Sequence, residues 1–103
     1  MTTDPEPVEL CCQLWARPGL AADLSAYEDE VLALLPDHGG VLLARVLGSG
    51  TADVPDETQL IGLPDQAALE AYLADPRRTS RSAERDRVVE RTVLFPVRVV
   101  TPH

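Results

Sequence analysis

Cys11 and Cys12 stand side by side in "VELCCQLWARPG", three residues before Trp15, the only tryptophan, so redox or metal chemistry is the first question. Consecutive Cα atoms lie ~3.8 Å apart, short of the ~4.4–6.8 Å a disulfide spans. No second cysteine pair, and no histidine at ligand spacing, completes a zinc site. On a strand the two sulfurs point to opposite faces. Cys12 then joins Leu10 and Leu14 against the helices, and Cys11 joins Glu9, Gln13 and Trp15 on the other side. Two reduced structural thiols are expected, with no metal and no cofactor, and a thiol pKa would decide whether Cys11 reacts.

The other chemically capable residues are scattered. His38 lies in "PDHGG". An ordinary imidazole pKa near ~6.5 suits a general base, although a turn histidine at a helix end is the simpler reading. Arg45 sits among apolar neighbours in "LLARVL". A buried guanidinium needs a carboxylate such as Glu9, Glu90 or another acid across the sheet, or else a bound anion. Trp15, Tyr27 and Tyr72 could line the mouth of a pocket, or simply pack. Together Trp15, Tyr27, His38, Arg45 and Tyr72 are the candidate ligand-pocket residues, and no catalytic residue is assigned. "GSGTAD" starts like a dinucleotide loop but lacks the third glycine and the following helix. Glu28, Asp29 and Glu30 read as the wet face of the first helix.

The elements that must position these residues follow from periodicity. Residues 8–16 form a strand ending at the "RPG" turn. Leu20, Leu24, Tyr27, Val31 and Leu34/Leu35 mark one face of a helix, stopped by Pro36 and Gly39-Gly40. Residues 41–48 and 58–63 are two further strands around a polar loop. Asp65 caps a helix with Leu69, Tyr72 and Leu73 on one stripe. Pro76 breaks it, "RRTSRSAERDR" adds a polar helical turn or two, and 88–100 is the last strand with Pro96 as an edge or bulge marker. The order β-α-β-β-α-β predicts an α+β, ferredoxin-like antiparallel sheet with two helices on one face. Residues 8–100 form that single domain, between a disordered tail at 1–7 and a short tail at 101–103.

Two helices cover one face of the sheet only. The other tolerates water if its residues are polar, but β-strand residues 41–48 are apolar on both sides: Leu42, Ala44 and Val46 on one, Val41, Leu43 and Leu47 beside Arg45 on the other. The last strand repeats this, with Val89, Val93 and Phe95 opposite Val88 and Leu94. Such a face predicts a homodimer packed sheet against sheet.

Charge excludes other partners. Residues 1–76 carry 14 acids and 2 arginines, whereas 77–103 carry 7 arginines and 3 acids. The overall acidity repels a phosphate backbone and the C-terminal arginines alternate with Glu84, Asp86 and Glu90, so no nucleic-acid partner is expected. The acidic, proline-rich start is unlike a signal peptide, and no segment has the length of a membrane span. The expectation is a cytoplasmic protein with no membrane partner.

The stretches "TQLIGLPDQAALEAYLADPRRTS" and "LPDHGGVLLARV" resemble those of the dimeric α/β-barrel superfamily, in which two ferredoxin-like subunits close their sheets into one barrel. The resemblance implies several activities, among them cofactor-independent monooxygenases of antibiotic biosynthesis, haem-degrading enzymes and lactone isomerases, and so assigns no reaction. One reading is a small dimeric accessory protein, non-catalytic or binding a small apolar or aromatic ligand. The alternative is a cofactor-independent monooxygenase or cyclase acting on an aromatic or polyketide-like substrate. The chain has four aromatics and no Asn, and His38 lies in a turn, which weighs against the catalytic and haem-degrading branches. A cavity of about 300 Å³ or more with His38 or Tyr72 facing it favours the enzyme; a filled interior favours the accessory protein.

Overall fold

The computed structural model describes residues 6–100. β1 spans Val8–Ala16, and α1 follows at Ala21–Leu32 with Leu24, Tyr27 and Val31 buried on its inner face. The helix stops before Leu34. Pro36 has no N–H for a continuing helix, and the chain tightens into a 3-10 turn, Leu35–His38, which buries Leu35. Gly39 then turns the chain at φ 73°, a left-handed conformation that glycine adopts without a Cβ clash. β2 is Val41–Leu47 and β3 is Glu57–Leu63.

α2 is Gln66–Leu73, and the Asp65 carboxylate accepts the Ala68 N–H at 2.7 Å as its N-cap. Asp75 caps the one-turn α3, Pro76–Thr79, and α4 runs over Ser82–Val88. β4, expected over 88–100, is shorter: it occupies Val89–Pro96, and Val88 ends α4 as a fully buried core residue. Of the two expected tails, only Glu6 and Pro7 lie within the described residues, and they precede β1 without regular structure. No helix among the described residues is long and apolar enough to cross a membrane.

The four strands form one antiparallel sheet in the order β2-β3-β1-β4. Leu10 pairs with Ile61, Cys12 with Gln59 and Leu14 with Glu57, and this set faces the helices. Two irregularities change the expected faces. The β2–β3 register shifts between Leu42 and Ala44, so Arg45 lies with Leu42 and Leu47 on the helical side while Val41 and Leu43 share the open face with Gly62. A second shift at Trp15/Ala16 turns Val89 into the core. A bulge adds one residue and so reverses the alternation beyond it.

The core divides in two. Leu10, Ile61 and Leu63 pack against Leu32, Leu35, Leu69 and Tyr72 at one end. Leu14 and Val89 pack against Leu24, Tyr27, Val31 and Val88 at the other. Between them the sheet presents Cys12 and Gln59, and α1 presents Glu28. The C-terminal arginines meet acids of the same chain: Arg87 pairs with Asp23 and Glu84, Arg81 with Glu30, and Arg77 with Asp37 and Asp75.

On the open face Val41, Leu43, Val46 and Phe95 are exposed. Among the described residues nothing covers them except at one corner, where residues 48–56 fold over Trp15. Gly48 permits that fold, since a Cβ there would collide with the Pro55 carbonyl. "GSGTAD" is thus a hairpin connection held by its glycines, and Asp56 accepts the Ala16 N–H at 2.7 Å.

Candidate functional site

A cavity of about 250 Å³ lies between the sheet and the helices, in the gap between the two core clusters. Leu14, Ile61 and Leu69 make its apolar floor, and Leu73, Arg85 and Leu94, all exposed, mark its mouth. Polar groups reach it from three directions: Glu28 from α1, Gln59 and Cys12 from the sheet, and Tyr72, Arg78 and Arg85 from the later helical segments.

Glu28 was expected in water. It is 6% exposed instead. Its position explains this, because Glu28 follows Leu24 by four residues and precedes Val31 by three, on the inward stripe of α1. The Gln59 amide donates to Glu28 Oε1 at 2.7 Å and to Glu57 Oε2 at 2.6 Å, linking two buried carboxyls. Burial pushes the Glu28 carboxyl above its ordinary 4.5, the Gln59 hydrogen bond opposes this, and nearby Glu57 adds to it. Desolvation of the charged form is the dominant cause. A carboxyl that takes up a proton readily and faces an apolar cavity can donate or accept one.

The second carboxyl is neutralised from the far side. Glu57, 1% exposed, receives Arg45 Nε at 2.8 Å and Nη2 at 3.1 Å. Arg45 also reaches Asp29 and the Ser25 carbonyl of α1. Neither Glu9 nor Glu90 is its partner; the β2 irregularity aims it at the helices. The guanidinium is a clamp between β2, β3 and α1, outside the lining of the cavity. A wider, open groove of about 450 Å³ lies beside it, between α1 and the start of β3.

The remaining candidates do not converge. Tyr72 lines the cavity, but its hydroxyl donates to the Val31 carbonyl at 3.0 Å and burial pushes its pKa up to about 12. Tyr27 packs in the core beneath α1. His38 lies behind Tyr72, ring edge to ring at 5.9 Å, with Nε2 2.7 Å from Asp75 Oδ2. Asp75 is held well below the usual carboxylate range by Arg77 first and His38 second. Trp15 sits on the opposite face of the sheet. Its indole N–H donates to the Thr51 carbonyl at 2.8 Å, and the Arg91 guanidinium covers its ring at 4.3 Å. Trp15, Tyr27 and Tyr72 therefore share no pocket.

Both cysteines are free thiols. Burial, then Glu28, pushes Cys12 up to about 12, and burial raises Cys11 as well.

This arrangement of strands and helices is shared with solved structures. A protein of unknown function from Rhodopseudomonas palustris superposes with a TM-score of 0.76 at 18% identity, over 97% of this chain and 86% of that one. SnoaB, a cofactor-independent oxygenase from Streptomyces nogalater, gives 0.68 at 15% identity, over 95% and 99%. The fold is the ferredoxin-like one. A dimeric protein of unknown function and ferredoxin-like fold from Bacteroides fragilis gives 0.67 at 9% identity, over 90% and 96%. No protein-family model matches the sequence, and no curated protein matches it. At these identities the likeness concerns the fold alone.

Proposed function

We propose that the protein is a homodimer that binds a small, flat, mainly apolar molecule in the cavity between its helices and its sheet. The observation that carries this is the gap between the two core clusters: apolar below, open at one side, with Glu28 held inside it by Gln59. A volume of about 250 Å³ falls just under the ~300–1,000 Å³ of sites for drug-sized ligands, and suits one or two rings. Exposed Val41, Leu43, Val46 and Phe95 support pairing through the open sheet face. The dimeric Bacteroides fragilis protein of the same fold supports it further.

Thermal unfolding against a panel of one-, two- and three-ring aromatics tests the binding reading. A ligand at 100 times its Kd adds about 2.7 kcal/mol, which raises Tm by several degrees. Leu73→Trp, at the mouth, abolishes that rise without touching the core. A panel that leaves Tm unchanged overturns the reading, as does a rise indifferent to Leu73→Trp.

A second reading is favoured by Glu28 itself. A protonatable carboxyl in an apolar site can take the proton of a bound phenol, leaving an electron-rich phenolate for reaction with dioxygen. SnoaB, a cofactor-independent oxygenase, has the same fold. Oxygen uptake with dihydroxynaphthalenes, abolished in Glu28→Gln, is its expected signature; uptake unchanged in that variant rejects the role of Glu28.

A further inference from the structure

The cavity carries more positive charge than its surroundings explain. The chain has 17 acids and 9 arginines, so carboxylate partners are abundant. Among the described residues Arg45, Arg77, Arg81 and Arg87 each pair with one or more of them. Arg17, Arg78, Arg85, Arg91 and Arg98 form no ion pair among the described residues, and of these five Arg78 and Arg85 line the cavity.

Their donors are largely idle. Arg78 stacks its guanidinium 4.8 Å over the Tyr72 ring and gives Nη1 to the Leu73 carbonyl at 3.2 Å. Its Nε is buried without any partner. Arg85 gives Nη2 to the Thr92 hydroxyl at 3.1 Å. A guanidinium has five N–H donors and matches a carboxylate in a two-pronged fork.

We infer that the ligand of this cavity is an organic anion, a flat apolar body with a carboxylate or enolate held at the mouth by Arg78 and Arg85. The inference rests on the ligand-binding reading above and adds the ligand's charge and direction of entry. The apolar body lies over Ile61 and Leu69, and the charged group stays at the exposed rim. Glu28 stands at the other wall, tied to Gln59. Its buried carboxyl favours the protonated form, which does not repel an acid. The two arginines belong to short helices, α3 and α4, whose joint positions them around one opening.

Calorimetric titration of the intact protein with 2-naphthoate and with 2-naphthamide, equal in shape and different in charge, tests this. Naphthoate is expected to bind at least about tenfold more tightly, the effect of a charge-assisted pair. Arg85→Met and Arg78→Met should each bring the ratio towards one. Arg85 is exposed and its side chain makes one hydrogen bond, to the Thr92 hydroxyl, so its variant folds even if the Arg78 variant, which loses the Tyr72 stack, does not. Equal or tighter binding of the amide overturns the anion inference and leaves the cavity reading standing. Failure of both probes to bind overturns the cavity reading and the inference together. A naphthoate preference that survives in Arg85→Met overturns the assignment to these arginines.

Discussion

The amide of Gln59 bridges Glu28 and Glu57, at 2.7 and 2.6 Å, and thereby ties a carboxyl inside the cavity to one clamped by an arginine outside it. One amide nitrogen has two hydrogens, and both are given to acids. Two carboxylates at such close range repel when both are charged. Arg45 sits against Glu57 at 2.8 Å, whereas Glu28 has no cation beside it and burial raises its pKa.

Stability should record this. The Glu28 pKa is raised in the folded protein above its ordinary 4.5. Between those two values the folded state binds more protons than the unfolded one, so stability is highest on the acid side and falls as pH rises through the folded pKa. Glu28→Gln keeps an acceptor for Gln59 and removes the charge. Urea unfolding from pH 4 to pH 8 should show this fall in the parent and its absence in the variant, which matches or exceeds the parent at pH 8.

Arg45 and Glu57 form an ionic contact at 2.8 Å whose carboxylate is almost fully buried. Arg45→Ala removes the guanidinium partner of buried Glu57, at a cost of about 3–5 kcal/mol. The double variant Arg45→Met, Glu57→Met should recover most of that loss. Denaturant midpoints for the three proteins check both statements, and equal losses in single and double variants would refute the account.

The open face should respond to a single charge. Val46, 58% exposed, stands on β2 beside Thr58, clear of the core. Val46→Asp is expected to convert a dimer into a monomer in light scattering, with stability per protomer little changed. A monomeric parent protein rules out the pairing of sheets.

Thiol chemistry separates the two sides of β1. Cys12, pushed up to about 12 by burial and then Glu28, has almost no thiolate at pH 8 and should alkylate far more slowly than a free thiol. Cys11 should react slowly in the parent and faster in Val46→Asp, which mass spectrometry of the labelled peptides can follow.

The strands and helices were legible in the sequence because their signals are local. β1 lies at 8–16 as the turn residues indicate, and Asp65 caps α2 through its own side chain. The faces were less legible. Nothing in residue type marks the irregularities near Leu43 and at Trp15/Ala16, and each reverses which side chains meet the helices. Arg45 therefore meets another acid of the sheet, Glu57, and neither of the two named for it, and Val89 parts from Phe95, with which the alternation grouped it. Glu28 was a different kind of miss. Its spacing from Leu24 and Val31 puts it on the inner stripe, and Glu57 and Gln59 share the period-two pattern of Ile61 and Leu63. The charged character of these residues hid a signal that spacing carried.

Adjacent in the chain, Cys11 and Cys12 deliver one sulfur to each compartment of the molecule. β1 is a partition a single residue thick, with the cavity on one side and an exposed apolar face on the other. The two thiols thus stand as separate probes, one for the cavity and one for the apolar face.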